Sequence, residues 1–164
     1  MVDYYHHPTH PFSKDEIFRC DTYGYGYDDD RKFKLDWSSE LIERLNALTA
    51  RPDVQVIWLT TWRKYMGEVC KTLGLTAHNQ MYYLPWDKKL LTDGKVDAFV
   101  EYLNPEPSTP VTISWVDDLV FLDDNAVKLA KELSVNGTEI YTHRPRSRVA
   151  IDRAMMGEIE EELS

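Results

Sequence analysis

Two apolar runs in this chain end on paired oxygen-bearing residues. VQVIWL at 54–59 leads into Thr60 and Thr61, with Trp58 and Trp62 around them, and VTISWV at 111–116 leads into Asp117 and Asp118. Adjacent carboxylates leaving a buried strand repel one another. A hard cation such as Mg²⁺ relieves that repulsion and accepts oxygen ligands. Asp123 and Asp124 stand close by as further candidates. The plain alternative is that one aspartate caps the next helix and the rest are solvated. A hydroxyl at a strand end, beside a helix N-terminus, can donate to a phosphate oxygen. Thr61 is equally suited to capping the next helix, so Thr60 on phosphate and Thr61 as cap are compatible roles. A phosphoryl group also needs a cation, for which Lys95, just after the turn-like TDG, is the candidate, with Lys88 and Lys89 as nearby rivals.

These residues need elements to position them. Ser38 can cap a helix whose apolar residues Leu41, Ile42, Leu45 and Leu48 recur at helical spacing, ended by Pro52 and Asp53. A strand over 54–59 comes next, then a helix with Met66, Val69, Cys70 and Leu73 on one face, closed by Gly74. The piece near 81–84 is ambiguous. A helix starting near Lys95 carries Val96, Phe99, Val100 and Leu103 and stops before Pro105, Pro107 and Pro110. Beyond it lie a strand over 111–116, a helix near 125–133, a strand over 139–141 and a last helix over 147–163 with Ile151, Met155 and Ile159. Upstream, EIFRC and KFKLD flank a Gly- and Asp-rich centre, which reads as a β-hairpin. Strands alternating with helices predict crossover units and a parallel sheet, whose ligands bind beyond the carboxyl ends of the strands. Thr60 and Asp117 both stand just past such ends.

The bulk composition narrows the possibilities. The chain has 164 residues, of which 43% are hydrophobic and 29% charged, enough for the core and solvated surface of one domain. A net charge of −9 argues against a sequence-independent grip on nucleic acid and suits a protein that gathers divalent cations. No run approaches the roughly 18 apolar residues of a membrane span. MVDYYHHPTHPF lacks the features of a signal peptide, and Cys20 and Cys70 have no metal-type spacing, so a cytoplasmic location is expected. His6, His7 and His10 are dense, but Pro8 and Pro11 preclude a helical zinc pair. GYGY at 24–27 precedes no helix pattern, so it is no dinucleotide fingerprint. The tyrosines at 4, 5, 23, 25 and 27 can pack the hairpin or stack on a ligand.

Taken in order (strand then Thr, Lys near a helix start, strand then Asp-Asp), the chain resembles the haloacid dehalogenase-like superfamily. Its members are mostly Mg²⁺-dependent phosphohydrolases on a Rossmann-like sheet. VIWLTTW is similar to that family's second motif, with Thr60 as the phosphate-binding hydroxyl. Lys95 is similar to the third-motif lysine, and ISWVDD to the fourth motif, with Asp117 and Asp118 as metal carboxylates. EIYTHRPRSRVAIDRAMMGEIEEEL also resembles the ends of small phage and actinobacterial members. The resemblance covers residues 33–164 and implies an α/β, three-layer parallel sheet in a single domain, 1–164. Residues 1–36 would form an arm and hairpin flap, and 37–164 the core. It further implies catalytic roles for Thr60 and Lys95, substrate contacts from Thr61 and Trp62, and Mg²⁺ on Asp117 and Asp118. The substrate would be a phosphomonoester, with a nucleotide or nucleic-acid end among the candidates.

The family's first motif, an apolar strand ending in Asp-x-Asp-Gly, has no counterpart here. Its first Asp is the nucleophile and its second the general acid/base, whereas IFRCDTYG places Tyr23 two residues after Asp21. MVDYYHHP instead resembles the segment just after that motif. The expectation is therefore either a truncated form of an enzyme or a pseudoenzyme that keeps the binding residues; a non-catalytic binding module is the rival reading. The missing strand belongs at the sheet centre, between the Thr60 and Asp117 strands. Neighbouring strands lie about 4.8 Å apart, so its omission opens a gap of about 10 Å walled by unpaired backbone. Direct pairing of the flanking strands, the N-terminal arm, a protein partner or a second copy of the chain would have to compensate.

Overall fold

The computed structural model describes residues 17–23, 32–60, 65–76, 82–83, 91–103, 110–117, 127–128, 132, 137–145 and 151–164. It divides into two compact units, Met1–Tyr83 and Leu84–Ser164. Among the described residues the fold is mixed α/β, with strands in three pairs.

In the first unit, β1 (Ile17–Tyr23) and β2 (Lys32–Ser38) form the expected antiparallel hairpin, in register from Ile17 opposite Ser38 to Tyr23 opposite Lys32. Ser38 ends β2 in an extended conformation and caps α1 (Ser39–Thr49), its Oγ accepting the Leu41 amide at 3.4 Å. One residue thus turns the chain from strand to helix and satisfies one of the helix's orphan donors. α2 (Met66–Leu73) closes on Gly74 at φ 76°, a left-handed position that glycine occupies without a Cβ penalty. The Leu75 amide then donates back to the Cys70 carbonyl at 2.8 Å.

Helical periodicity puts Ile42 of α1 together with Met66, Val69 and Cys70 of α2 and with Leu75, all buried. Leu35 and Trp37, on one side of β2, pack against this core, as do Leu45, Trp58 and Leu73. The hairpin is therefore anchored in the first unit's core. Asn46 staples α1 to the turn after α2. Its Nδ2 donates to the Gly74 carbonyl at 2.9 Å, and its Oδ1 accepts the Thr76 amide at 2.8 Å and the Thr76 hydroxyl at 3.1 Å. The predicted strand over 54–59 is shorter than its apolar run: β3 is Ile57–Trp58, paired in parallel with β4, Tyr82–Tyr83. Within the ambiguous piece near 81–84, Tyr82–Tyr83 is therefore strand.

In the second unit, α3 (Leu91–Leu103) precedes β5 (Thr112–Val116), and β6 (Glu139–His143) precedes α4 (Arg153–Glu162). β5 and β6 are parallel, in register from Thr112 opposite Glu139 to Val116 opposite His143. α4 begins six residues later than its periodicity suggests, because Asp152 takes the cap: its Oδ1 accepts the Met155 amide at 2.9 Å. Met156 and Ile159 are the helix's buried residues. β3 and β5, the strands that lead to Thr60 and Asp117, belong to different sheets among the described residues. The helix expected near 125–133 falls mostly outside those residues. No helix among them is long and apolar enough to cross a membrane.

Cys70 has no exposed surface, and burial pushes its thiol up from an ordinary 9.0 to about 11. The neutral thiol's contribution to stability is complete below about pH 9 and is lost as pH rises towards about 11. Iodoacetamide at about pH 8 is expected to leave Cys70 unmodified in the folded chain and to label it in urea. Mass spectrometry of the Cys70 peptide reads the difference, and equal labelling in both states would contradict this core.

Candidate functional site

The second unit brings two of the sequence candidates together. Lys95 Nζ donates to Asp117 Oδ2 at 2.5 Å, with both side chains buried. One helical turn along α3, Phe99 stacks on Trp115 of β5, ring centroids 4.1 Å apart and planes inclined at 28°. The match arises from the two periodicities. Residues four apart on a helix advance about 6 Å along one face. Residues two apart on a strand advance about 6.6 Å on one side. Lys95 meets Asp117 and Phe99 meets Trp115, so α3 runs antiparallel to β5.

β5 continues by one more rung at its carboxyl end, where the Asp117 amide donates to the His143 carbonyl at 3.0 Å. His143 is buried, and its Nε2 lies 2.8 Å from Glu162 Oε2 in the last turn of α4. A carboxylate only accepts, so Nε2 carries the hydrogen. His143 Nδ1 faces the more exposed Glu158 Oε2 at 3.6 Å. Glu158 and Glu162 stand four apart, one above the other on the helix face turned to β6. Register places His143 opposite Val116, on the alternate side of the pair from Trp115 and Asp117. α3 and α4 therefore cover opposite faces of β5 and β6. Ser114, on the Val116 side, has a buried hydroxyl with no hydrogen-bond partner among the described residues.

The energetics of the Lys95–Asp117 pair are those of two charges taken out of water. Desolvation costs several kcal/mol per ion and is offset only by good geometry and mutual attraction. The pair is consequently worth little against an apolar replacement, yet the loss of one partner is severe.

Thr60 succeeds β3 in the first unit and is half-buried. Thr61, Trp62, Lys88, Lys89, Asp118, Asp123, Asp124 and the histidines at 6, 7 and 10 lie outside the described residues. Lys95 does not open its helix: α3 begins at Leu91, and Thr92, Asp93 and Gly94, which read as a turn, are helical. His143 and Glu162 are the pieces that sequence reasoning missed. The signal for them was Glu158 and Glu162 at helical spacing in an otherwise amphipathic last helix, after a strand ending in His. Among the described residues no three metal-ligating side chains converge.

Replacing Lys95 by Met removes the counter-charge of the buried Asp117 carboxylate and is expected to cost about 3–5 kcal/mol in urea unfolding. The double replacement of Lys95 by Met and Asp117 by Leu is expected to recover most of that loss. A single variant as stable as the parent would contradict the buried pair.

Neither a family model, a curated protein nor a solved structure matches this chain.

Proposed function

We propose that this chain is a phosphohydrolase-type domain of the haloacid dehalogenase-like kind, built on a three-layer Rossmann-like sheet and binding a phosphomonoester with Mg²⁺. The observation that carries this reading is the buried Lys95–Asp117 pair at the carboxyl end of β5, the end at which open α/β sheets bind ligands. A lysine ammonium has three N–H donors, and Asp117 Oδ2 takes one, leaving Lys95 donors to offer to phosphoryl oxygens. Thr60, past β3 in the first unit, is the hydroxyl that the resemblance assigns to phosphate. Asp117 and Asp118 would hold Mg²⁺. Their hard oxygen donors suit that ion, which is commonly bound through one or two carboxylates plus water and phosphate. When bound, the cation supplies neutralisation of phosphoryl charge. Thr61 and Trp62 would border the substrate.

Covalent attack needs a nucleophile that this sequence does not contain in an Asp-x-Asp-Gly context. What its own residues do is bind and orient. A second reading, a non-catalytic binding protein on the same fold, is favoured by one feature: Lys95 and Asp117 already neutralise each other. Both readings place ligands at the same residues and differ in turnover.

Calorimetry with Mg²⁺ and inorganic phosphate is expected to show binding by the parent chain and a loss of about tenfold or more in Mg²⁺ affinity for Asp117→Asn. Hydrolysis of a generic phosphate ester is expected to fall about 10⁴- to 10⁶-fold below that of an enzyme with its nucleophile in place. Mg²⁺-dependent hydrolysis that survives Asp117→Asn would remove the site assignment.

A further inference from the structure

We infer that His143 and Glu162 are positioning residues for Asp117, acting across β6 from the face opposite Lys95; the link to phosphate chemistry rests on the phosphohydrolase proposal. The chain of contacts is short and continuous. Glu162 accepts from His143 Nε2 at 2.8 Å, the His143 carbonyl accepts the Asp117 amide at 3.0 Å, and Asp117 Oδ2 accepts from Lys95 at 2.5 Å. Every member but Lys95 sits at the end of its element: His143 is the last residue of β6, Asp117 the first beyond β5, and Glu162 the last of α4.

Strand ends fray because no further rung holds them. The Asp117–His143 bond closes the ladder between β5 and β6, so whatever restrains His143 restrains the Asp117 backbone. The restraint is buried on both sides: His143 is 7% exposed and the Glu162 side chain 14%. An imidazole so enclosed is costly to bury without a partner for its N–H. Glu162 provides that partner and fixes the ring, and with it the terminal carbonyl of β6. Glu158, with its side chain 65% exposed and 3.6 Å from the ring, adds little, as exposed ion pairs generally do. Two helices on opposite faces thus converge on one carboxylate: α3 through its charge, α4 through its backbone. The role resembles that of outer-shell groups that orient ligands without touching the ion.

The experiment uses the full chain and reads hydrogen exchange at two amides of the same ladder. Asp117, at the carboxyl end, donates to His143; Glu139, at the other end, donates to Val111 at 3.0 Å. Glu162→Ala is expected to speed exchange at Asp117 by about tenfold while leaving Glu139 unchanged. Glu162→Gln keeps an acceptor for Nε2 and is expected to stay within about threefold of the parent. Glu158→Ala should leave both amides unchanged. Equal acceleration at both amides would show only a general loss of stability and would overturn the inference, as would an unchanged Asp117 amide. Mg²⁺ titration of the same variants supplies the second arm, with Glu162→Ala expected to bind about tenfold more weakly than the parent. Parent chain that binds no Mg²⁺ would sink the phosphate reading and leave the exchange result to decide the positioning role.

Discussion

The second unit depends on one buried ion pair, and the demands of that pair explain the packing around it. A charge out of water is tolerated only where its counter-charge is held at bonding distance. Lys95 must therefore project from α3 at the height where Asp117 leaves β5. The aromatic stack of Phe99 on Trp115 sets that height, since the helix and strand repeats nearly coincide over this interval. The stack and the ion pair therefore specify one and the same register. A slip of one residue in β5 would turn Asp117 to the α4 side and leave Lys95 buried alone.

The first unit is organised differently. Its core of Ile42, Met66, Val69, Cys70 and Leu75 is apolar; its helix ends are set by local devices, and one longer-range side-chain staple joins them. Ser38 starts α1, Gly74 stops α2, and Asn46 ties the two together through the Gly74 carbonyl and Thr76. Caps and stops of this kind act at short range, and their residue types report their roles. The second unit has its own local cap in Asp152, but its candidate-site contacts, Lys95 with Asp117 and His143 with Glu162, join separate elements, as Asn46 does with Gly74 and Thr76 in the first unit. A lysine or glutamate in isolation reads as a solvated surface group.

That contrast accounts for what the amino-acid order revealed. The Ser38 cap, the Gly74 stop, the hairpin and the strand of 111–116 were legible because each rests on local propensity or a period of two or 3.6. Lys95 and Asp117 were legible as candidates from type and position, and their meeting becomes evident once α3 is laid against β5. The boundaries were less legible. β3 is shorter than the apolar run of 54–59: among the described residues its ladder consists of Ile57 with Tyr82 and Trp58 with Tyr83. α4 starts at Arg153 because Asp152 takes the cap, its side chain accepting the Met155 amide. His143 was hidden because its burial depends on a helix one connection away.

The start of α3 shows how electrostatics and helix geometry jointly constrain a site residue. A helix opening at Lys95, as the turn-like TDG suggests, would place an ammonium among the unsatisfied N–H groups of the first turn, where the helix dipole is positive. Starting at Leu91 puts Lys95 fifth in the helix, beyond the turn over which that repulsion is strong. Gly94 then sits inside the helix at a propensity cost of about 1 kcal/mol relative to alanine. The extra turn moves the cation away from the positive end of the helix. Lys95 there faces the Asp117 carboxylate, and the pair forms where a sequence-based helix start would have opposed it.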